Sequence, residues 1–407
     1  TLALLLIQAH MPWWRAHLQV DIGTFQQRAS YFLNNGTWKG MGYNEYQPGA
    51  LWFFVFVGTL TANVNNFDAF LSTIFLVNVA LIVLHFVFFR VRKDRFASIT
   101  LLALVAATGP ILLFRFELFV SMLTLVAWDM FQRERYYSSA ILLGVATATK
   151  LYPLMLLPLI AMELYRRGTF AKIPGVLAGF FVGVVFPTIA AIACGASPME
   201  LFHSMQVHGL KPIGIEGFWG TVVTIIEKIA GLPIHTTVAY SVHGMVSDLP
   251  LLQDALLNSF WILPVALIFL AALLLNKKRN LTEPGFAFLI LFVFVYFSKV
   301  VNPQYLWWFA AFVPFVAASR SGNRTWWTMT ILVIFGLALT QIVYPINYTE
   351  FLAWFDGNIA VSRTFVVSAG RNLVFLVALF FALRGQFWER ALTTVKQASK
   401  TSPKKLR

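Results

Sequence analysis

Residues 294–315 read FVYFSKVVNPQYLWWFAAFVPF. The run is apolar at both ends, yet Lys299, Asn302, Gln304 and Tyr305 stand near its middle. In water such neighbours mean little. In hydrocarbon a charge at a helix centre costs about 2.5–3.5 kcal/mol on insertion scales, and a residue kept there at that cost is a functional candidate by default. The first question is therefore which solvent surrounds this stretch.

Composition answers it. The chain has 407 residues, 58% hydrophobic and 12% charged, with a mean hydropathy of +0.72. A soluble domain carries about 25% charged residues, so the chain belongs in a bilayer. Its 40 Phe and 13 Trp suit a lipid-facing surface with aromatic belts. The net charge of +14 is not gathered on a soluble domain, as a nucleic-acid partner would require. Cys194 is the single cysteine, which excludes an intramolecular disulfide and a Cys-rich metal site; in its apolar run it reads as inert core. The opening residues TLALLLIQAH are too few to span. They read as the outer end of a first helix rather than as a signal peptide, since no charged head or small-residue cleavage site accompanies them.

Basic clusters set the topology. They lie at Arg90–Arg95, Gln132–Arg135, Tyr165–Arg167 with Lys172, Asn276–Arg279, Ser319–Arg320 with Arg324, and in the tail from Arg384 to Arg407. Lys and Arg excess marks the cytoplasmic side. Between consecutive clusters there is room for two passes, broken at Pro110–Arg115, at Lys150–Pro153, across 195–257, at Lys299–Gln304 and across 345–363. The pattern predicts an all-α, polytopic integral membrane protein of about 12 transmembrane helices with both ends inside. Residues 1–384 would form one membrane domain, with outer loops 11–67 and 195–257 contributing the site, and 385–407 a basic cytoplasmic tail. Trp38–Asn63, apolar but short, is expected to lie on the outer leaflet as an interfacial helix.

With this topology the costly polar residues fall on the outer face and suggest a cavity opening there. Each has a plainer reading. Asp21, in HLQVDIGTFQQRASYFLNNG, is either a helix cap or a general base that takes a proton from an attacking hydroxyl. Arg28, about two turns on, is its partner or an interfacial anchor. Arg115 and Glu117, in PILLFRFELFV, are a snorkelling helix end or an ordered pair for a polar substrate. Lys150, beside Tyr152 and Pro153, either snorkels or reaches a phosphate as a point charge. Lys299 has the same two readings, with donors and acceptors added by Asn302, Gln304 and Tyr305. The segment HSMQVHGLKPIGIEGFWG supplies His203, His208, Lys211 and Glu216. Its two His are not on one helix face, so a zinc site is not expected, and a loop that binds a sugar or phosphate is. Trp219 stacks on a sugar ring or belongs to the aromatic belt.

In chain order, Asp21, NEYQPGALWFF at 44–54, RFELF at 115–119, ATKLYPLMLLPL at 148–159, HGLKPIGIEGFW at 208–219, SKVVNPQYLWW at 298–308 and TQIVYPINY at 340–348 resemble the polyprenol-phosphate-mannose-dependent mannosyltransferases of glycosyltransferase family 87, which have the GT-C fold. The resemblance runs along nearly the whole chain. It departs at Tyr46-Gln47-Pro48, where the family usually has Tyr-Pro-Pro, and at Gly217, where a Ser is usual. The resemblance implies an inverting glycosyltransferase of the plasma membrane, working on the extracytoplasmic side. A sugar, mannose by the resemblance, would pass from a polyprenyl phosphate to a lipid-linked or extracytoplasmic glycan. Asp21 would be the base. Lys299, with Arg115, Lys150, His208 and Lys211, would receive the phosphate. Glu117, Glu216, Tyr46, Tyr152, Asn302, Gln304, Tyr305 and Trp219 would line the substrates, and no cofactor or metal is expected. The rival readings are a flippase or solute transporter, which would need access from both sides and often internal repeats, and a glycan ligase.

Overall fold

The computed structural model describes residues 12–41, 45–91, 95–240, 242–257, 283–319, 323–357 and 362–387. The opening segment 1–11, the cluster at 276–279 and the tail from 388 lie outside them. The described residues form α1 (Pro12–Asn35), α2 (Pro48–Leu60), α3 (Phe67–Val91), α4 (Arg95–Thr108), α5 (Glu117–Gln132), α6 (Tyr136–Thr149), α7 (Leu157–Arg166), α8 (Ile173–Ala193) and α9 (Pro198–Leu210). After β1 (Ile213–Gly214) come α10 (Phe218–Ala230), β2 (His235–Ala239), β3 (Val242–Val246) and α11 (Pro250–Leu257). Then follow α12 (Pro284–Tyr296), α13 (Trp307–Ala310), α14 (Val313–Ser319), α15 (Arg324–Gln341), α16 (Tyr348–Phe355) and α17 (Arg363–Phe387).

The chain is mostly helical, and among the described residues five helices are long and apolar enough to cross a membrane. They are Phe67–Val91, Arg95–Phe114, Phe170–Ala193, Arg324–Ile346 and Arg363–Gln386. This is the architecture of a helical membrane protein; the described residues hold fewer full-length spans than the 12 expected, and the stretch 258–282, where another was expected, lies outside them. Much of the shortfall has a physical cause: several passes are broken. The breaks coincide with proline. Short 3₁₀ turns run over Gly109–Phe114, Tyr152–Leu156 and Pro303–Leu306, and a π turn over Ile342–Ile346. Proline removes a backbone donor and clashes with the preceding turn. Broken helix in lipid is tolerated only where the freed groups find partners. At Gly109, which takes φ +75°, a Cβ would run into Gln341 Oε1. The Gln341 side chain donates to the carbonyls of Ala106 (3.1 Å) and Ala107 (2.7 Å) that the break sets free.

Two expectations are corrected. The surface helix over Trp38–Asn63 is a shorter helix, Pro48–Leu60, with Pro48, Gly49, Ala50, Leu51, Phe53, Phe54, Val55, Val57 and Gly58 buried. It is apolar all round, so it sinks among α1, α6 and α8 rather than floating on one face. The chain is also not purely α. Within 195–257, β3 pairs antiparallel with both β1 and β2.

Small residues bring the neighbouring helices together. Gly175, Gly179 and Gly183 recur every fourth position on α8. A Cβ at Gly183 would lie 2.1 Å from the Ile141 carbonyl of α6, and one at Gly144 of α6 2.2 Å from that of Phe180. Such a stripe lets two backbones meet where lipid offers no hydrophobic drive between helices.

Candidate active site

The breaks converge. Arg115 ends the turn Gly109–Phe114, Glu117 is the first residue of α5, and Lys150 caps the end of α6. An acid at a helix N-terminus and a cation at a C-terminus are each favoured by the helix dipole. These three, with Asp21 from α1, Glu45, Tyr46 and Gln47 before α2, Lys211 after α9, and Asn302, Gln304 and Tyr305, line one cavity of about 110 Å³. Phe25, Phe116 and Thr149 complete its wall.

Ion pairs cross the cavity. Arg115 Nη2 lies 2.5 Å from Asp21 Oδ2. The guanidinium side chain is 4% exposed and the carboxylate side chain 37%, so Asp21 is the more open half of the pair. Lys150 Nζ pairs with Glu117 Oε1. The same ammonium sits over the rings of Phe116 (4.5 Å), Tyr305 (4.9 Å) and Trp308 (5.2 Å), a cage that favours a cation electrostatically. Glu45 and Lys211 face each other more loosely. Burial pushes the Glu45 carboxyl up, with Lys211 pulling it back. Burial pushes the Lys211 ammonium down, opposed by Glu45. Among the described residues no carboxylate lies within ion-pair distance of Lys211. Gln47 Oε1, Arg115 Nε and Glu117 Oε2 are buried without a hydrogen-bond partner. Buried polar groups are normally satisfied, so these atoms mark polar capacity that a substrate or water can take up.

The residues expected at the site divide in two. Asp21, Arg115, Lys150, Lys211, Glu117, Tyr46, Asn302, Gln304 and Tyr305 line the cavity. Lys299, Tyr152, Glu216 and Trp219 do not, and each has another partner. Lys299 Nζ donates to the Gly209 carbonyl at 2.6 Å, one of the last carbonyls of α9, which lack helical partners. Tyr152 is buried and stacks on Trp308 with centroids 4.5 Å apart, behind the Lys150 cage. Trp219 Nε1 donates to the Phe297 carbonyl at 2.9 Å. His208 has its side chain outside the described residues. Glu45 was missed from the sequence, although it stands inside NEYQPG, and an acid next to a proline-broken stretch in an outer loop was the available signal.

Glu216 lies at a joint between the segment 195–257 and α17. Its carboxyl is pushed up to about 7, by burial first, while Arg371 and a hydrogen bond from Tyr348 act the other way; Tyr344 also faces it. A carboxyl raised above its usual 4.5 binds protons more tightly folded than unfolded, so its contribution to stability is full below about 4.5 and is lost as pH rises through about 7. Glu216→Gln is therefore expected to raise the unfolding temperature clearly at pH 8 and much less at pH 5. Thermal unfolding in detergent at the two pH values checks this; a gain at pH 5 as large as that at pH 8 contradicts it.

Compared with known proteins, the chain matches no family model, no curated protein and no solved structure.

Proposed function

We propose that the chain is an inverting membrane glycosyltransferase, moving a sugar, mannose by resemblance, from a polyprenyl phosphate to a lipid-linked or extracytoplasmic glycan at the outer face of the membrane. One observation supports this above the others. Carboxylates and cations from several elements line one cavity at the helix breaks, with Asp21 the more exposed half of its ion pair and, among the described residues, Lys211 in no ion pair with a carboxylate.

In this reading Asp21 takes the proton of the acceptor hydroxyl. The freed oxygen bonds to the anomeric carbon from the face opposite the phosphate. The bond from that carbon to the phosphate oxygen breaks, its electron pair leaves with the polyprenyl phosphate, and the configuration inverts. The donor carries one negative charge on its phosphodiester, and the departing monoester carries more. Lys211 meets that growing charge first, with Arg115 and Lys150 behind it, and fixed cations in a dry site lower such a barrier efficiently. A phosphate near Arg115 also competes with Asp21 for the guanidinium and so frees the carboxylate when the donor is bound. Asn302, Gln304 and Gln47 supply donors and acceptors for sugar hydroxyls.

Proteoliposomes holding the protein, sugar-labelled polyprenyl phosphate and lipid acceptors test this reading against transport. The expected result is a new labelled glycolipid with equimolar free polyprenyl phosphate. Label moved to the opposite leaflet without a new glycosidic bond overturns it.

A further inference from the structure

Resting on the glycosyl-transfer reading, we infer that Arg371 and Asn372 of α17, with Lys299, are positioning residues that hold the strap 209–217 and thereby set Lys211 at the cavity.

The argument begins with how each cation is held. Carboxylates fix Arg115 and Lys150. Among the described residues no carboxylate pairs with Lys211, so its place depends chiefly on its own backbone. That backbone is an irregular strap. Lys211 ends α9 with extended φ/ψ, −59° and 141°, and the strand after it is only two residues long. Two ladder residues cannot fix a strap by themselves.

The strap is pinned from two sides instead. On one side, Lys299 Nζ donates to the Gly209 carbonyl at 2.6 Å, and the Lys299 carbonyl accepts from Gly214 N at 2.8 Å. Lys299 thus grips the chain both before and after Lys211. On the other side, Arg371 Nη2 donates to the Glu216 carbonyl, and Asn372 Nδ2 donates to the Gly217 carbonyl at 3.2 Å and to Thr221 Oγ1 at 2.7 Å. Arg371 and Asn372 are nearly fully buried, at 3% and 5% exposure. They stand in a helix long and apolar enough to span, where a charge is costly. A Met or Leu at 371 would fill the same space at no such cost. What Arg371 adds is a charged donor reaching the strap's main chain across 155 residues of sequence. The same break that carries Lys299 continues into Asn302, Gln304 and Tyr305 of the cavity wall, so strap and wall share one anchor.

The test reads Lys211 directly. Reductive methylation of the folded protein in detergent, followed by peptide mass spectrometry, measures how fast each lysine reacts. Arg371→Met and Lys299→Met, two independent variants, are each expected to speed methylation of Lys211 at least threefold while the carboxylate-held Lys150 keeps its wild-type rate. Where transfer is measurable, each is also expected to lower kcat at least fivefold, because Lys211 meets the charge that grows as the phosphate leaves, and Lys211→Met is expected to abolish that further effect when combined with either. An unchanged Lys211 rate in whichever variant folds overturns the inference, and so does equal acceleration of Lys150. A Lys211-selective acceleration in a protein that transfers no sugar from any polyprenyl phosphate keeps the strap and overturns the glycosyl-transfer reading instead.

Discussion

Asp21→Asn is expected to lower sugar transfer by about 10²–10⁴-fold, the usual contribution of a positioned general base. The substitution is chosen for what it leaves in place. Asn has the same shape, and its oxygen still accepts from Arg115, so the contact between α1 and the end of the Gly109–Phe114 turn survives. What is lost is the group that, in the proposed mechanism, takes the acceptor's proton. The donor KM is expected to change less than fivefold, because in the proposed mechanism the phosphate is met by Lys211, Arg115 and Lys150, which line the cavity from other elements. Initial rates over a donor series, in the same detergent for both proteins, separate the two parameters. Wild-type kcat in Asp21→Asn would remove this carboxylate from the chemistry.

The second large effect falls on stability. Glu117 and Lys150 form a buried pair, with side chains 1% and 14% exposed. Breaking such a pair from one side leaves an uncompensated buried charge and costs about 3–5 kcal/mol. Glu117→Leu alone is therefore expected to lower thermal stability strongly. Replacing both partners with apolar side chains of similar size often costs little, so Glu117→Leu combined with Lys150→Met is expected to recover most of the loss. Two further features sharpen this. The ammonium loses its carboxylate inside a ring cage that cannot hydrate it, and Glu117 sits at the start of α5, where its charge also offsets the helix dipole. Unfolding of the two single variants and the double variant completes a thermodynamic cycle. A double variant destabilised by the sum of the two single effects would mean that the pair is not coupled. The double variant is still expected to transfer poorly, since it lacks one cation of the cavity; stability and activity would then part in one protein.

The sequence announced the breaks more clearly than the side chains that use them. Pro110, Pro153, Pro303 and Pro345 interrupt apolar runs, and a proline in a helical pattern has few structural outcomes; the 3₁₀ and π turns fall at these prolines. Arg115, Glu117, Lys150 and Tyr305 were legible because each stands within a few residues of such a break. Lys299 was legible as a buried cation but not in its direction. A Lys can reach forward to a cavity or back to a free helix-end carbonyl, and the choice depends on where α9 ends, 90 residues away in sequence. The small sheet was hidden for a different reason. Two-residue hairpin turns usually show Asn-Gly or Asp-Gly, whereas β2 and β3 are joined at Tyr240, which takes φ +51° without that signal. Helix α2 misled through its length. Its 13 residues are too few to span, yet an all-apolar helix is buried among others as readily as it lies on a surface.

The central claim is that this cavity breaks a sugar–phosphate bond and makes a new glycosidic bond with Asp21 as the base. Its most direct measurement uses purified wild type and Asp21→Asn, radiolabelled polyprenyl-phosphate mannose and a panel of lipid-linked acceptors, with label followed into product. The account predicts labelled product of inverted anomeric configuration from the wild type and almost none from Asp21→Asn, although both bind the donor. Donor bound equally by both proteins, with no acceptor ever labelled, would contradict it.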